Sequence, residues 1–211
     1  MKAAFLPDRG VVKISGEDAR SFLNGLVTTD VAQLAPGLGR FGALLTPQGK
    51  IVVDFLVTEA PAGHGGGFLL DCPRPLAQNL ADKLGFYKLR AKVAVENLSD
   101  SLGVIAAWDG EPAVKPDLTY ADPREAALGW RILAPQDLAA KVAGLIGADL
   151  VDSDAYEAHR IAAGVPRGEG QLAKDRAAFI ETARRIDPTK DPVAVMKRLS
   201  DEHPTAEDLI P

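Results

Sequence analysis

Tyr156 and Arg160 stand four residues apart in "SDAYEAHRIAAG", a stretch with helical spacing. Both therefore project from one helix face, where an aromatic plane and a cation could hold a flat, anionic ligand. Tyr87, Lys88 and Arg90 place a second aromatic and cationic group ahead of a strand-like run, although their local pattern fits a solvated strand edge at least as well. A third group is Thr28, Thr29 and Asp30 at the end of "SFLNGLVTTDV", where an amphipathic helix runs into polar side chains suited to a turn or to the floor of a site.

Other chemistries find less support. Gly37-Leu38-Gly39-Arg40-Phe41-Gly42 has the spacing of a dinucleotide loop, but such a loop needs a strand before it and a helix after it, and here the order is helix, loop, strand. His64, His159 and His203 are scattered, with no helical metal pair among them. Cys72 is the sole cysteine, which excludes an intramolecular disulfide or a multi-cysteine metal site within this chain and marks the residue as a small buried filler. No G-x-S-x-G element is present, and the serines fall where caps and turns explain them.

The formal net charge of -5 and pI near 5.3 argue against broad attraction to nucleic acid or to an anionic membrane. "MKAAFLPDRG" is too short in apolar residues for a signal-peptide core, and no apolar run approaches the roughly 18 residues of a spanning helix. These features predict a soluble, untargeted, cytoplasmic chain with no membrane partner and no direct nucleic-acid binding.

The elements that must position the candidate residues follow from periodicity. "GVVKI" predicts a strand, and Ser15 is expected to cap a helix with Glu17 and Asp18 in its first turn. "RFGALLT" and "KIVVDFLVTEA" flank Pro47-Gln48-Gly49 as a β-hairpin. "FLLDC" predicts a strand, residues 74–85 a helix opened by prolines, and "YKLRAKVAVENL" a returning strand. The pattern is α+β, with helices on one side of an antiparallel sheet. A smaller unit follows, with strands at "LGVIAAW" and "LGWRILA", a loop over 109–123, a helix at "PQDLAAKVAGLIG" and a last helix closed by Gly164 and Pro166. The expected division is 1–98 for the first α+β unit, 99–173 for the second, and 174–211 for a helical tail.

Taken in order, "VVKISGEDARSFLNGLVTTDVAQL", "GALLTPQGKIVVDFLV", "LLD", "YKLRAKVAVEN" and "YEAHRIAAGVPRG" resemble the YgfZ-type folate-binding proteins, relatives of the glycine cleavage system T protein, an aminomethyltransferase. The resemblance runs from about residue 10 to about 171. It implies a central channel for tetrahydrofolate or another reduced folate, with the pterin among side chains and the glutamate tail near basic residues. Thr28, Thr29 and Asp30 would face that cavity, and Tyr156 would supply aromatic contact from its helix. Arg9 departs from the pattern, because some relatives carry an aromatic side chain there.

A second departure lies beyond "GVPRG", where the family carries a lysine-glycine-cysteine motif and then a small β-barrel. Neither is expected here, and Cys72 lies in the wrong segment to replace the motif's cysteine. The resemblance implies a folate-binding accessory protein in iron–sulfur cluster assembly or repair, with iron–sulfur enzymes or assembly proteins as partners and transfer RNA modification as an indirect output. Folate would be held by Thr28, Asp30, Tyr87, Arg90, Tyr156 and Arg160, with no catalytic residue and no metal. The alternatives are aminomethyl transfer to tetrahydrofolate, with Asp30 or Asp54 as the working aspartate, and a ligand-free remnant of the fold.

Overall fold

The computed structural model describes residues 1–166. Two five-stranded sheets pack face to face, with helices on their outer sides. The first sheet has the order β3-β4-β5-β2-β6, with every pair antiparallel: β2 is Arg9–Ser15, β3 Gly39–Leu45, β4 Ile51–Glu59, β5 Phe68–Pro73 and β6 Ala94–Asn97. The second has the order β10-β1-β7-β9-β8: β1 is Lys2–Phe5, β7 Gly103–Trp108, β8 Thr119–Ala121, β9 Trp130–Ala134 and β10 Asp149–Leu150. Only the β1–β10 pair in that sheet is parallel. The fold is thus the expected α+β arrangement of antiparallel sheets with few helices.

Alternation along each strand assigns its side chains to one of two cores. Val12, Ile14, Val53, Phe55, Val57, Leu70 and Cys72 face helices α1 (Ala19–Leu26) and α2 (Ala77–Tyr87), whose Leu23, Leu26, Leu80 and Leu84 close that side. Val11, Leu56 and Leu69 point the other way and meet Val104, Ala106, Trp108 and Tyr120 of the second sheet. Because the first sheet is covered on both faces, its strands read as nearly continuous apolar runs. The far side of the second sheet is closed by Ala139, Ala143 and Ile146 of α3 (Ala139–Ile146). Helix α4 (Ser153–Ala162) lays Tyr156 into the layer between the sheets.

Several local expectations are corrected. Helix α1 starts at Ala19, with Asp18 rather than Ser15 at its N-cap position. The Asp18 carboxylate accepts a hydrogen bond from the Lys92 backbone amide, so it ties the helix entry to the strand that follows α2 instead of capping α1. The strand expected over "YKLRAKVAVENL" forms only at Ala94–Asn97, because α2 continues to Tyr87 and a turn occupies the residues between. The loop over 109–123 contains β8, which brings Tyr120 into the inter-sheet core. Residues 2–5, given no element by the sequence, form β1, an inner strand of the second sheet. The tail over 174–211 lies outside the described residues.

Candidate functional site

Two charged side chains sit at core positions of otherwise apolar strands: Asp71 in "FLLDC" and Arg131 in "GWRIL". Strand alternation turns both into the layer between the sheets, where Asp71 is wholly buried and Arg131 nearly so. A charge in such a place must be paired. Arg9 Nε donates to Asp71 Oδ1 at 2.6 Å while its Nη2 reaches the Asp71 carbonyl at 2.7 Å. Arg131 divides its donors among three acceptors: Asp122 Oδ2 at 3.0 Å, Asp71 Oδ2 at 3.4 Å and the Tyr156 hydroxyl at 2.8 Å. Arg124 closes on Asp122 with Nε at 2.9 Å and Nη2 at 2.7 Å, a bidentate geometry of the strong kind. The Tyr120 hydroxyl completes the lattice, donating to Asp71 Oδ2 at 3.4 Å.

The electrostatics follow from that pairing. Burial pushes the Asp122 carboxyl up, but Arg124 and Arg131 overcome it and hold the group well below the usual carboxylate range. Burial acting alone would lower the Arg131 guanidinium; Tyr156, Asp122 and Asp71 reverse this and keep it firmly protonated. Tyr120 is held well above the ordinary phenol range by burial and by Asp71. Asp54 differs from these carboxylates. It is 8% exposed, has no ion pair among the described residues, and burial raises its carboxyl despite the opposing pull of Arg9.

Where the lattice meets α4, a cleft of about 230 Å³ opens between the sheets and that helix. Arg9, Arg124, Arg131 and Arg160 line it together with Asp8, Asp154 and Glu157, and the buried Tyr156, 3% exposed, contributes to the lining. The Tyr156 ring lies under the Arg131 guanidinium at 5.2 Å and meets Trp108 edge-on at 5.4 Å, so its plane is set from two directions. Arg160 is bound to Glu157 at 2.6 Å and to the Val165 carbonyl, which pins the end of α4. The arrangement suits an anionic, partly flat ligand with a cationic or hydrogen-bond-donating edge.

Of the residues singled out by sequence, Tyr156 and Arg160 come together as expected and line this cleft. Thr28 does not line it; its hydroxyl accepts from the Ala43 amide at 2.9 Å and its own amide donates to the Ala43 carbonyl at 3.1 Å, so it fastens the helix exit to the edge of β3. Asp30 accepts from the Ala32 amide at 2.8 Å, a turn-forming bond. Tyr87 packs on the helix side of the first sheet, opposite the cleft, and Arg90 is exposed in the turn after it. Of the six residues, the structure brings Tyr156 and Arg160 to this cleft and places the other four elsewhere. Arg9, Asp71, Asp122, Arg124 and Arg131 were missed. Their signal was a charge in the middle of an apolar strand and the "DPR" before "LGWR".

No protein-family profile matches the chain. It is 31% identical over 199 residues to the mitochondrial iron–sulfur cluster assembly factor IBA57 homolog of Mycosarcoma maydis, a match covering 88% of this chain and 48% of the relative. The corresponding mitochondrial factors of Mus musculus and Homo sapiens are each 31% identical, with 84% of this chain and 54% of theirs covered. The glycine cleavage system aminomethyltransferase T of Bartonella henselae superposes with a TM-score of 0.59 at 17% identity, over 79% of this chain and 52% of that structure. The fold is that of an aminomethyltransferase T protein. The chain spans about half the length of the curated relatives it matches.

The expectation of a cytoplasmic protein is overturned, since these relatives are mitochondrial. One cysteine and an acidic pI are as compatible with a mitochondrial protein as with a cytosolic one, so composition had no power to separate the two. Among the described residues no helix is long and apolar enough to cross a membrane.

Proposed function

We propose that the chain is an iron–sulfur cluster assembly factor that binds a reduced folate at the cleft between the two sheets and α4. The observation that carries the folate reading is the convergence of the Arg9, Arg124 and Arg160 guanidiniums on one cleft beside the Tyr156 helix. Relatives that share about 31% identity are iron–sulfur cluster assembly factors, which supports the cellular role. Tetrahydrofolate fits in part. The arginines suit its carboxylates, but at about 230 Å³ the cleft falls below the roughly 300–1,000 Å³ typical of drug-sized ligands, so it takes the carboxylate end of the molecule. When bound, folate supplies one-carbon chemistry; the residues here bind and orient it.

The cluster is cargo on this reading, and the chain acts on iron–sulfur partner proteins, with transfer RNA modification as a downstream consequence. Cys72 is no cluster ligand: it is wholly buried on the helix side of β5, and burial pushes its thiol up to about 12. Asp54 favours a second reading, aminomethyl transfer, because a buried carboxyl without an ion pair is suited to meet an amine.

Calorimetric titration with 5-formyltetrahydrofolate tests the proposal. Saturable binding by the native chain, weakened about tenfold or more by Tyr156→Ala and by Arg160→Ala in variants that remain folded by circular dichroism, is the expected result. A cooperatively folded native chain that binds no reduced folate overturns it. Glycine cleavage activity in a reconstituted assay, lost in Asp54→Asn, would favour aminomethyl transfer instead.

A further inference from the structure

On the face of the first sheet opposite the cleft, the C-terminal end of α2 breaks the amphipathic rule that the rest of the helix obeys. Ala77, Leu80, Ala81 and Leu84 are buried and Gln78, Asn79 and Asp82 are exposed, yet Phe86 is 53% exposed and Leu89, in the turn that follows, is 76% exposed. Leu89 also has φ of 42°, the left-handed conformation in which glycine normally ends a helix because it carries no Cβ. A leucine here is conformationally unfavourable and gains no compensating burial among the described residues. Its side chain is displayed outward from a stiff base, since Tyr87 packs into the core on one side and the Ala91 amide donates to the Lys88 carbonyl at 2.7 Å on the other.

The flanking charges carry the second half of the argument. Lys88 and Arg90 are exposed and enter no ion pair among the described residues, whereas Lys92 is already held by Glu17 at 2.7 Å. Two uncommitted cations beside two displayed apolar side chains, on a chain of net charge -5, form a local feature opposite in sign to the molecule that carries it. We infer that Phe86 and Leu89, rimmed by Lys88 and Arg90, form a docking knob for a partner protein that offers an apolar socket edged with carboxylates. The overall negative charge disfavours an anionic bilayer or nucleic acid, which would meet the whole acidic surface, while a protein socket meets only the knob.

The knob is remote from the cleft and independent of folate binding. It is tested with a fluorescein-labelled amphipathic helical peptide carrying leucines at i, i+3, i+4 and i+7 flanked by glutamates, and with the same peptide carrying lysines instead. The acidic peptide is expected to bind the native chain at least tenfold more tightly than the basic one, with the preference falling steeply as salt is raised. Leu89→Gly is the decisive variant. Relief of the left-handed strain should leave its urea midpoint equal to or above that of the native chain while peptide binding drops tenfold or more, and Arg90→Glu should lose the acidic preference. Equal binding of the two peptides, unchanged binding by Leu89→Gly, or binding confined to vesicles with 30% phosphatidylserine or to a single-stranded RNA oligomer would overturn the inference.

Discussion

At the scale of single residues, Arg131 is the side chain on which the inter-sheet layer depends. It faces two carboxylates and a tyrosine hydroxyl while nearly inaccessible to water. Arg131→Met should therefore cost about 3–5 kcal/mol in urea unfolding, because Asp122 and Asp71 lose a buried cation, and it should also weaken folate binding by releasing the Tyr156 ring. Asp122 and Asp54 respond to pH in opposite directions. The folded state holds Asp122 below its unfolded value, so its contribution to stability is complete above about pH 4 and disappears as pH falls toward its folded value. Asp54 is raised in the folded state, so its contribution is complete below about pH 4 and is lost as pH rises through its folded value. Asp54→Asn should consequently be more stable than the native chain at pH 7 and lose that advantage near pH 4, whereas Asp122→Asn should be less stable at pH 7 and approach the native chain in acid. Urea midpoints at pH 7 and about pH 4 check the sign for Asp54, and midpoints at about pH 4 and about pH 2 check that for Asp122.

At the scale of elements, the polar end of α1 serves packing. Thr28 bonds the Ala43 backbone in both directions, and Thr29 presses on β3 at Gly42, where a Cβ would fall 2.7 Å from the Thr29 methyl. Gly42→Ala should destabilise by about 1–3 kcal/mol, and Thr29→Ser, by removing that methyl, should recover much of the loss; a double-mutant cycle in urea measures the coupling. Helix α2 illustrates the complementary case, in which a face and not a turn carries the load. Its Leu80 and Leu84 are wholly buried, and Leu84→Ala should cost about 2–5 kcal/mol. The central strands, the hairpin and the major helices were legible because each rests on local periodicity, whereas the short strands β1, β8 and β10 were not. The true extent of β6 was not, since alternation over "YKLRAKV" mimics a strand while the helix before it simply continues.

At the scale of the whole molecule, the chain's first strand closes its second sheet. Lys2–Phe5 pairs with β7 on one side and β10 on the other, while the next strand, Arg9–Ser15, lies at the heart of the first sheet. The two sheets share one inter-sheet core and one charge lattice, so they should unfold together. Trp108 and Trp130 both belong to the second sheet, and fluorescence should therefore coincide with far-ultraviolet circular dichroism in a single transition. Two separated transitions would show that the lattice does not couple the sheets. The same coupling predicts strong amide protection across Gly103–Trp108, which is buried throughout and central to its sheet.

Local pattern alone determined the α+β class, the longer strands and helices, and the shared face of Tyr156 and Arg160, because helical and strand periods are written in neighbouring residues. Asp71 and Arg131 were passed over inside apolar strands, because a local pattern does not say what would meet a buried charge. Only the tertiary structure decided that. The pairing of Arg9 with Asp71, of Arg131 with Asp122 and Tyr156, and the exclusion of Tyr87 and Arg90 from the cleft all depend on which face of which sheet each strand turns toward its neighbour. Such partners lie 25 to 62 positions apart in several of these contacts, and no local period can encode a meeting that exists only once two sheets have closed on one another.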